Sequence, residues 1–457
     1  MDADLLGRTV KLELDEGRAD SPDAAKALVA TYRVGITAGA GFERSRTATA
    51  AVMTALATAK RAFPGGVWLA AAGDPILAFG WGRGRRLSEV ASELGASLVL
   101  SLPVALLCVI AIGDPPAARP ALHATWQGWA GGVVLSGAER ALEDDIQPLT
   151  GVLSAGLAVS EAFQWIRGFV LAGRRSVGMS LWRPDLPWRD EGARGPRLAL
   201  LPEKSWLLGL GHLGQAFAWS IGWLPFERPD AVLVGLIDPQ RIVPANVDTG
   251  LLTASVDAGQ PKARIVAAAL ASLRIQSRVV ERRFDERFRP VGDEPILAFA
   301  GFDNPTPRRL LEDIGFVRSI DVGLGSGRQY LDGLVHAFPS GVRAREAFPR
   351  IDAPPATESP LLEQPAYRAE IERLEAAGLS TEAARCGAVE VAGRTVGAAF
   401  VGAVASTLGL AEELRALVDG PRFEVLSFSL RSGSIEAVVN QAPGPRRNPG
   451  YLSVAVG

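Results

Sequence analysis

Cysteine is scarce in this chain, with only Cys108 and Cys386 among 457 residues. Two thiols so far apart exclude a disulfide scaffold and a zinc site built from paired Cys-x-x-Cys knuckles. This usage is typical of a reducing compartment, so we expect a cytoplasmic location. The acidic N-terminal segment, which lacks the basic and apolar regions of a secretory signal, agrees with that expectation.

An excess of positive charge is also absent. The chain has 48 Lys+Arg against 50 Asp+Glu, which gives a net charge of −2. Neither nucleic acid nor an anionic membrane is therefore an expected partner. Lysine in particular is rare, with only five examples: Lys11, Lys26, Lys60, Lys204 and Lys262. A lysine at a motif position consequently stands out.

Long apolar runs are few. Residues 95–112 (GASLVLSLPVALLCVIAI) carry no charge and have the length of a short membrane span. Pro103 and the β-branched residues favour two buried strands joined by a turn over a membrane helix. Within this stretch, Cys108 is predicted to be a buried, inert thiol of the core.

The length allows about three compact domains or two large ones. Residues 151–163 and 402–414 resemble each other in their Gly, Leu and Glu positions. Each is preceded by the same predicted order of strand, glycine turn, helix and strand, at 32–71 and 206–237. We therefore expect an α/β fold of two diverged Rossmann-like units that form a pseudo-dimer. The alternative is that helices rich in Ala, Leu and Gly are alike by composition alone.

The predicted boundaries follow from this duplication. Residues 1–181 form the first unit, 182–204 a proline-rich linker, 205–440 the second unit and 441–457 a C-terminal tail. Within the second unit, 343–392 is expected to be a long crossover loop that contains one short charged helix.

The second unit carries a glycine motif. A predicted strand runs into Gly209, Gly211 and Gly214, which form G-x-G-x-x-G before a helix. Such a turn brings backbone N–H groups and the positive end of a helix to a phosphate. The next predicted strand ends in Asp238, where a carboxylate can hold ribose hydroxyls. These residues alone fit a nicotinamide-dependent oxidoreductase as well as a nucleotidyltransferase.

Further polar residues follow at characteristic intervals. Asn246 lies eight residues after Asp238, Lys262 follows in a Gly-x-x-Lys, and Asp303-Asn304 come after another predicted strand. This pattern resembles the ubiquitin-activating-enzyme superfamily, in particular adenylyltransferases of the ThiF/MoeB type. The resemblance implies that Asp238 binds the ribose of ATP, that Asn246 and Lys262 contact the triphosphate, and that Asp303 holds Mg²⁺. It places Asn304 in the same nucleotide site. A solvated Lys262 and a helix-capping Asp303 are the structural alternatives.

The resemblance also implies a cysteine that accepts the activated C-terminus of a small protein as a thioester. Cys386, with Arg385 beside it, stands before the last long predicted helix and is the candidate. Alternatives are a buried structural thiol, an oxyester at Ser380 or Thr381, or a reaction that stops at the adenylate. The implied partners are a ubiquitin-like or sulfur-carrier protein of the β-grasp fold and a ubiquitin-conjugating-type enzyme, with a homodimer as a further expectation.

Two positions depart from the family pattern. Gln240 replaces a second acidic residue, and Thr249 replaces an arginine that would contact phosphate. Arg241 and Arg264 are the candidate replacements. His212, within the glycine motif, is expected to pack rather than to catalyse. The two departures keep open a pseudoenzyme that binds a β-grasp protein or nucleotide, whereas an oxidoreductase would leave the later motif residues unexplained.

The first unit lacks a Gly-x-x-Lys and an Asp-Asn pair at matching places. It therefore resembles a degenerate, inactive adenylation domain packed on the active one. Arg44 and Arg46, at the start of its first long predicted helix, are candidates to reach the ATP site. An unrelated α/β interaction domain is the alternative.

Overall fold

A computed structural model describes residues 7–114, 121–325, 327–348, 350, 360–382, 384–385, 388–389, 397–440 and 450–454. The helices are α1 Arg8–Asp15, α2 Pro22–Val29, α3 Arg46–Ala62, α4 Leu87–Glu93, α5 Leu149–Ile166, α6 His212–Ile221, α7 Lys262–Ser272, α8 Pro305–Arg308, α9 Ala344–Ala347, α10 Pro365–Ala376 and α11 Ala399–Leu417.

The strands are β1 Arg33–Ala38, β2 Gly66–Ala71, β3 Ser97–Val99, β4 Val109–Ile112, β5 Leu122–Gln127, β6 Ala130–Leu135, β7 Val177–Ser180, β8 Leu200–Pro202, β9 Lys204–Leu208, β10 Leu233–Ile237, β11 Gln276–Val280, β12 Leu297–Ala300, β13 Arg318–Leu324, β14 Asp332–Phe338, β15 Phe423–Ser429, β16 Ser434–Asn440 and β17 Tyr451–Ser453.

Two large sheets are built on the same plan. The first has the order β3-β2-β1-β4-β5-β6-β7 and the second the order β11-β10-β9-β12-β13-β14-β15-β16. In each sheet the first five strands of this order run parallel to one another, and each later strand pairs antiparallel with the strand before it. The expected α/β fold of two Rossmann-like units in one chain is confirmed.

The two units pack through helices. The last long helix, α11, lies against α5, α6 and α3. Small side chains allow this approach, since a Cβ at Gly156 on α5 would lie 2.8 Å from the Val404 side chain and 3.2 Å from the Phe400 carbonyl oxygen. A hydrogen bond of 2.9 Å from Trp219 Nε1 to Thr54 Oγ1 also joins the units. The apolar core is therefore continuous between them.

The helices α3 and α6 run in opposite directions at the interface of the two units. The start of α3 and the end of α6 line one cavity. The end of α3 binds the 247–253 loop, which in turn contacts the first turn of α6.

The expectation of two buried strands in 95–112 is only half right. The interior strand β4 is buried, as is Cys108, where burial raises the pKa of the thiol to about 12. At the sheet edge, β3 is partly exposed, and Leu100, Val104 and Leu107 in the connection are exposed. Among the described residues, no helix has the length and apolarity to cross a membrane.

The 182–204 segment is packed against the first unit. The Trp182 ring lies 5.3 Å from the ring of Trp129, and β8 within the segment pairs with β17 near the C-terminus. The segment therefore contacts both the first unit and the strand near the C-terminus.

Candidate active site

The carboxyl ends of β10, β9 and β12 lie side by side in the second sheet. The loops that follow these strands are 209–211, 238–246 and 301–304, which hold most of the predicted site residues. The chain passes from one side of β9 to the other here, so the loops after β9 and β12 flank a topological switch point. Ligands of open α/β sheets bind in such a crevice.

Two glycines of the motif, Gly209 and Gly214, have a steric reason, and the third, Gly211, lies in open space. Gly209 has a φ of 80°, which favours glycine. A Cβ at Gly214 would overlap the carbonyl of Gly209, so the turn and α6 can touch only without a side chain. A Cβ at Gly211 would meet no heavy atom of the described residues within 4 Å, and no described side chain caps α6. The N-terminus of α6 is therefore shaped to accept an anion through its backbone N–H groups.

A chain of hydrogen bonds joins the glycine loop to the motif lysine. The buried Asp238 carboxylate accepts the N–H groups of Leu210 and Gln240, each at 2.7 Å. The side-chain oxygen of Gln240 then accepts Lys262 Nζ at 2.7 Å, and its carbonyl accepts the Lys262 N–H at 3.0 Å. Lys262 is the first residue of α7 and only 6% exposed. It is therefore not a solvated surface lysine.

Asn246 shapes the loop after β10. Its Oδ1 accepts the Val243 N–H at 3.0 Å, and its carbonyl accepts the Gly250 N–H at 2.8 Å. The side chain is partly exposed. The structure thus gives Asn246 a local structural role beside the predicted nucleotide contact.

Asp303 and Asn304 are exposed at the end of β12. The Asn304 side chain accepts the Thr306 N–H at 3.1 Å and caps α8, so the capping role considered for Asp303 belongs to its neighbour. The Arg308 guanidinium donates to the carbonyl of Phe302 and lies 3.5 Å from the Asp321 carboxylate. Arg308 thereby fixes the backbone directly before Asp303.

The acidic residues do not form a metal cluster by themselves. Within the described part of the chain, no group of three His, Cys, Asp or Glu side chains could hold a metal ion. Asp303 supplies one exposed carboxylate, which fits Mg²⁺ carried on a nucleotide, because Mg²⁺ then takes most of its ligands from phosphate and water.

The predicted acceptor Cys386 lies outside the described residues. The alternatives Ser380 and Thr381 follow α10 and are both exposed. Of the crossover loop 343–392, the structure describes α9, α10 and short segments around them.

The sequence did not predict the role of Arg61, a residue of α3 in the first unit whose side chain reaches the second unit. Its guanidinium donates to the carbonyls of Val247, Gly250 and Thr253 at 3.0, 2.6 and 3.0 Å. The side chain is buried, and this burial lowers its pKa to about 10, so it stays charged at neutral pH. No signal local to residue 61 could have revealed a contact with a loop more than 180 residues away.

A second cross-unit contact involves Asp248, whose carboxylate accepts the N–H of Arg8 at 2.7 Å. On the other side of the 247–253 loop, Gln215 on α6 accepts the Leu252 N–H at 2.9 Å. The loop that follows Asn246 is thus held by residues of both units.

Arg241 and Arg264 have partners of their own, and Arg44 and Arg46 lie away from the glycine loop. Arg241 donates to the carbonyl of Gly259 at 2.8 Å, and Arg264 pairs with Glu281 at 2.5 Å in an exposed position. Arg44 is exposed, and Arg46 lies at the end of α6 that is remote from the glycine loop. The suggestion that Arg44 or Arg46 reaches the ATP site is wrong, because α3 and α6 run in opposite directions.

His212 packs against α11 through the glycines Gly397 and Gly402. Burial lowers its pKa to about 4, against an opposing effect of backbone groups at Ala398 and Ala399. The imidazole is therefore neutral at pH 7 and faces helix α11, as expected for a packing residue.

Both units of the chain match models of known protein families. Family models of the BilD N-terminal and C-terminal domains match residues 33–181 and 201–420. The bacterial E1-like protein BilD of Collimonas sp. (strain OK412) is 34% identical over 436 residues, which cover 94% of this chain and 92% of that protein. The chain belongs to the BilD family. The E1-like description of its relative agrees with the resemblance to ubiquitin-activating enzymes.

Two solved structures also match this BilD-family chain more distantly. MccB of E. coli has a TM-score of 0.34 and 13% identity, covering 71% of this chain and 93% of MccB. PaaA has a TM-score of 0.34 and 11% identity, covering 52% of this chain and 65% of PaaA.

Proposed function

We propose that this chain is an E1-like enzyme that uses ATP to adenylate the C-terminal carboxylate of a small ubiquitin-like protein. The observation that carries the proposal is the buried Lys262, linked through Gln240 and Asp238 to the glycine loop at the switch point. The BilD family membership supports an E1-like function over a nicotinamide-dependent oxidoreductase.

In this proposal the crevice binds ATP as a substrate. Gly209, Gly211 and Gly214 bring the N-terminus of α6 to the phosphates, and Lys262 adds a positive charge on the same side. Attack of the carboxylate oxygen on the α-phosphorus breaks the bond to pyrophosphate, so negative charge grows on the leaving group. Fixed positive groups there lower the barrier.

Three further residues complete the nucleotide site as proposed. Asp238 accepts ribose hydroxyls while it continues to bind backbone N–H groups, because each carboxylate oxygen has two lone pairs. Asn246 contacts the triphosphate, and Asn304 orients the loop after β12. Asp303 would hold Mg²⁺, which neutralises phosphate charge when bound.

The first unit is proposed to be inactive as an adenylation domain. Asp145 accepts the N–H groups of Arg46 and Thr47 at 3.2 and 2.7 Å, so a carboxylate already occupies the N-terminus of α3. A Cβ at Gly39 would lie 2.5 Å from the backbone N of Asp114, which closes the turn after β1 against the loop after β4. Both features oppose phosphate binding there.

A second step is proposed in which the Cys386 thiolate attacks the adenylated carboxyl, forms a thioester and releases AMP. A conjugating-type enzyme would then accept the carrier protein. These steps, and a homodimer, remain predictions from the resemblance.

Exchange of labelled pyrophosphate into ATP tests the first step. Wild type with Mg²⁺ and a candidate β-grasp partner should show exchange that requires the partner. Lys262→Ala and Asp303→Ala should each abolish most of it. Lys204→Ala and Asp293→Ala are matched controls, because Lys204 begins β9 at the end opposite the glycine loop and both side chains of the pair are partly in solvent. Absence of exchange with a verified partner would refute adenylation.

Binding of nucleotide or partner without exchange would instead support the pseudoenzyme alternative, which the replacements Gln240 and Thr249 favour. The thioester is tested separately with Cys386→Ala. This variant should keep pyrophosphate exchange and lose a thiol-sensitive adduct with the partner, and persistence of the adduct would direct attention to Ser380 or Thr381.

A further inference from the structure

The interface of the two units contains a cavity of about 480 Å³ on the side remote from Lys262. Its walls are the first turn of α3, the loop after β2, the end of α6 and the end of α7. This volume falls in the range of small-molecule sites. The cavity lies beside the start of α3 and the end of α6, whereas Arg61 and the start of α6 lie at the other end of these two helices.

Three arginines line this cavity: Arg46, Arg83 and Arg274. No Asp or Glu is among the described residues that line it, and none of the three forms an ion pair with a described carboxylate. The Asp145 carboxylate, which raises the pKa of Arg46, accepts hydrogen bonds from backbone N–H groups at the N-terminus of α3. The cavity therefore has a positive wall.

The Arg46 side chain has a fixed contact at the cavity wall. The Arg46 guanidinium stacks over the Phe79 ring at 4.8 Å. Burial and the charge of Arg83 lower the pKa of Arg46, whereas Asp145 raises it, which indicates that the two guanidinium groups are close enough to repel. An anion between them would relieve that repulsion.

The loop that carries Arg83 is fixed to the second unit. Trp81 stacks on Trp219 with 5.5 Å between ring centres and donates from Nε1 to the Trp219 carbonyl at 2.9 Å. Around it, Gly80, Gly82 and Gly84 all have positive φ, so the chain makes tight turns that a side chain would oppose.

Arg274 occupies a helix-end position that favours glycine. It follows the C-terminus of α7 with a φ of 65°, where non-glycine residues are strained. Its side chain lines the cavity from the second unit. The Arg274 side chain is exposed, so burial in the core does not account for a large cationic residue at this position.

The remainder of the wall is apolar. Phe79, Leu224, Phe226 and Ile275 line it beside the arginines. Guanidinium groups bind phosphate oxygens in a bidentate manner, and an apolar wall suits a ring or alkyl group. The combination thus matches a molecule with one strongly anionic end and one apolar end.

We propose that this cavity is a second ligand site that binds a small organic phosphate between Arg46, Arg83 and Arg274. The phosphate contacts the guanidinium groups, and the organic group lies against Phe79 and Leu224. The site is separate from the crevice of Lys262 and does not depend on nucleotide binding there.

Isothermal titration with phenyl phosphate tests the proposal on the full chain at low ionic strength. Wild type should bind phenyl phosphate more tightly than inorganic phosphate. Arg46→Gln and Arg83→Gln should each weaken binding by about tenfold, which corresponds to the loss of a charge-assisted hydrogen bond. Arg85→Gln should bind as wild type does, because Arg85 pairs with Glu93 and does not line the cavity.

Lys262→Ala separates this site from the proposed nucleotide crevice. The variant should bind phenyl phosphate as wild type does, whatever its effect on pyrophosphate exchange. No binding to wild type, equal affinity for inorganic phosphate, or binding lost in Lys262→Ala but kept in Arg46→Gln would each overturn the proposal.

Modification of arginine by phenylglyoxal, mapped by mass spectrometry, gives a second readout. Phenyl phosphate should protect Arg83 and Arg274 from modification, and protection confined to other arginines would contradict the site.

Discussion

At the scale of single residues, the neutral side chain of Gln240 holds the motif lysine. It accepts Lys262 Nζ at 2.7 Å, at a position where the resemblance to ubiquitin-activating enzymes implies an acidic residue. A neutral acceptor adds no negative charge beside the lysine, so Gln240 itself does not weaken the attraction of Lys262 for phosphate. The departure from the family pattern is therefore compatible with a working phosphate contact.

Replacement of Gln240 by alanine should raise the KM for ATP in pyrophosphate exchange by about tenfold, because a hydrogen bond that orients a charged group is lost. Gln240→Glu should restore the orientation of Lys262. The measurement is the ATP dependence of exchange at saturating partner. Equal ATP dependence in Gln240→Ala and wild type would contradict a positioning role.

Because His212 is buried in its neutral form, we expect the free energy of unfolding to fall in acid. Burial lowers its pKa in the fold to about 4 from an ordinary 6.5, so the unfolded chain binds the proton more strongly. The stabilising contribution of the neutral imidazole is complete above pH 6.5 and is lost as the pH falls toward 4. Between pH 7 and 5 this loss amounts to about 2 kcal/mol.

Urea unfolding at pH 7 and pH 5 checks this expectation. His212→Gln should lose less stability than wild type over this interval, because glutamine does not titrate. An identical pH dependence in the two proteins would show that His212 does not contribute to the acid sensitivity.

At the scale of elements, α3 of the first unit supports the 247–253 loop of the second. Arg61 donates to three carbonyls of that loop, and Gln215 on α6 holds it from the other side. The loop directly follows Asn246. The first unit therefore contributes to the candidate site by fixing a loop rather than through Arg44 or Arg46.

Arg61→Ala should destabilise the fold by roughly 3 kcal/mol or more, because three buried carbonyls lose their donor. In the proposed reaction its effect should fall more on the KM for ATP than on kcat. Lys60→Ala is the matched control, since Lys60 is next in sequence and its amino group bonds at the surface. Thermal unfolding and ATP-dependent exchange measure the two effects, and an Arg61→Ala protein with wild-type stability would contradict the account.

The sequence was sufficient for features that lie close together along the chain. The glycine turn, Asp238 and the long helices α3, α5 and α11 follow from contiguous patterns, so their positions could be predicted within a few residues. Contacts across the fold could not. Asp145 caps α3 about 100 residues away within the first unit, and Arg61 contacts a loop of the other unit, because tertiary packing brings these groups together. The partial exposure of β3 depends on its place at a sheet edge, which local hydropathy does not specify.

At the scale of the whole molecule, two units of the same topology present different chemistry at equivalent places. In the second unit, α6 begins without a described side-chain cap, whereas Asp145 occupies the start of α3 in the first. Close packing of α5 on α11 joins the two units. Gly156 is central to that packing, because its missing side chain leaves room for Val404.

Gly156→Val should therefore lower stability by roughly 1–3 kcal/mol through overpacking. It should reduce exchange through the loss of the Arg61 contacts across the interface. Gly192→Ala is a milder control, since the atom nearest to its Cβ is the end of the Leu186 side chain at 3.3 Å. Differential scanning calorimetry and the exchange assay measure both consequences, and unchanged stability of Gly156→Val would refute the packing argument.

The most direct test of adenylation is the chemical trapping of the activated carboxyl. The full chain is incubated with ATP, Mg²⁺, a candidate ubiquitin-like partner and hydroxylamine, and the intact partner is analysed by mass spectrometry. The account predicts a hydroxamate at the partner's C-terminus with wild type, Lys204→Ala and Cys386→Ala, and none with Lys262→Ala. An equal yield from Lys262→Ala, or no hydroxamate from wild type with a partner that binds it, would contradict the account.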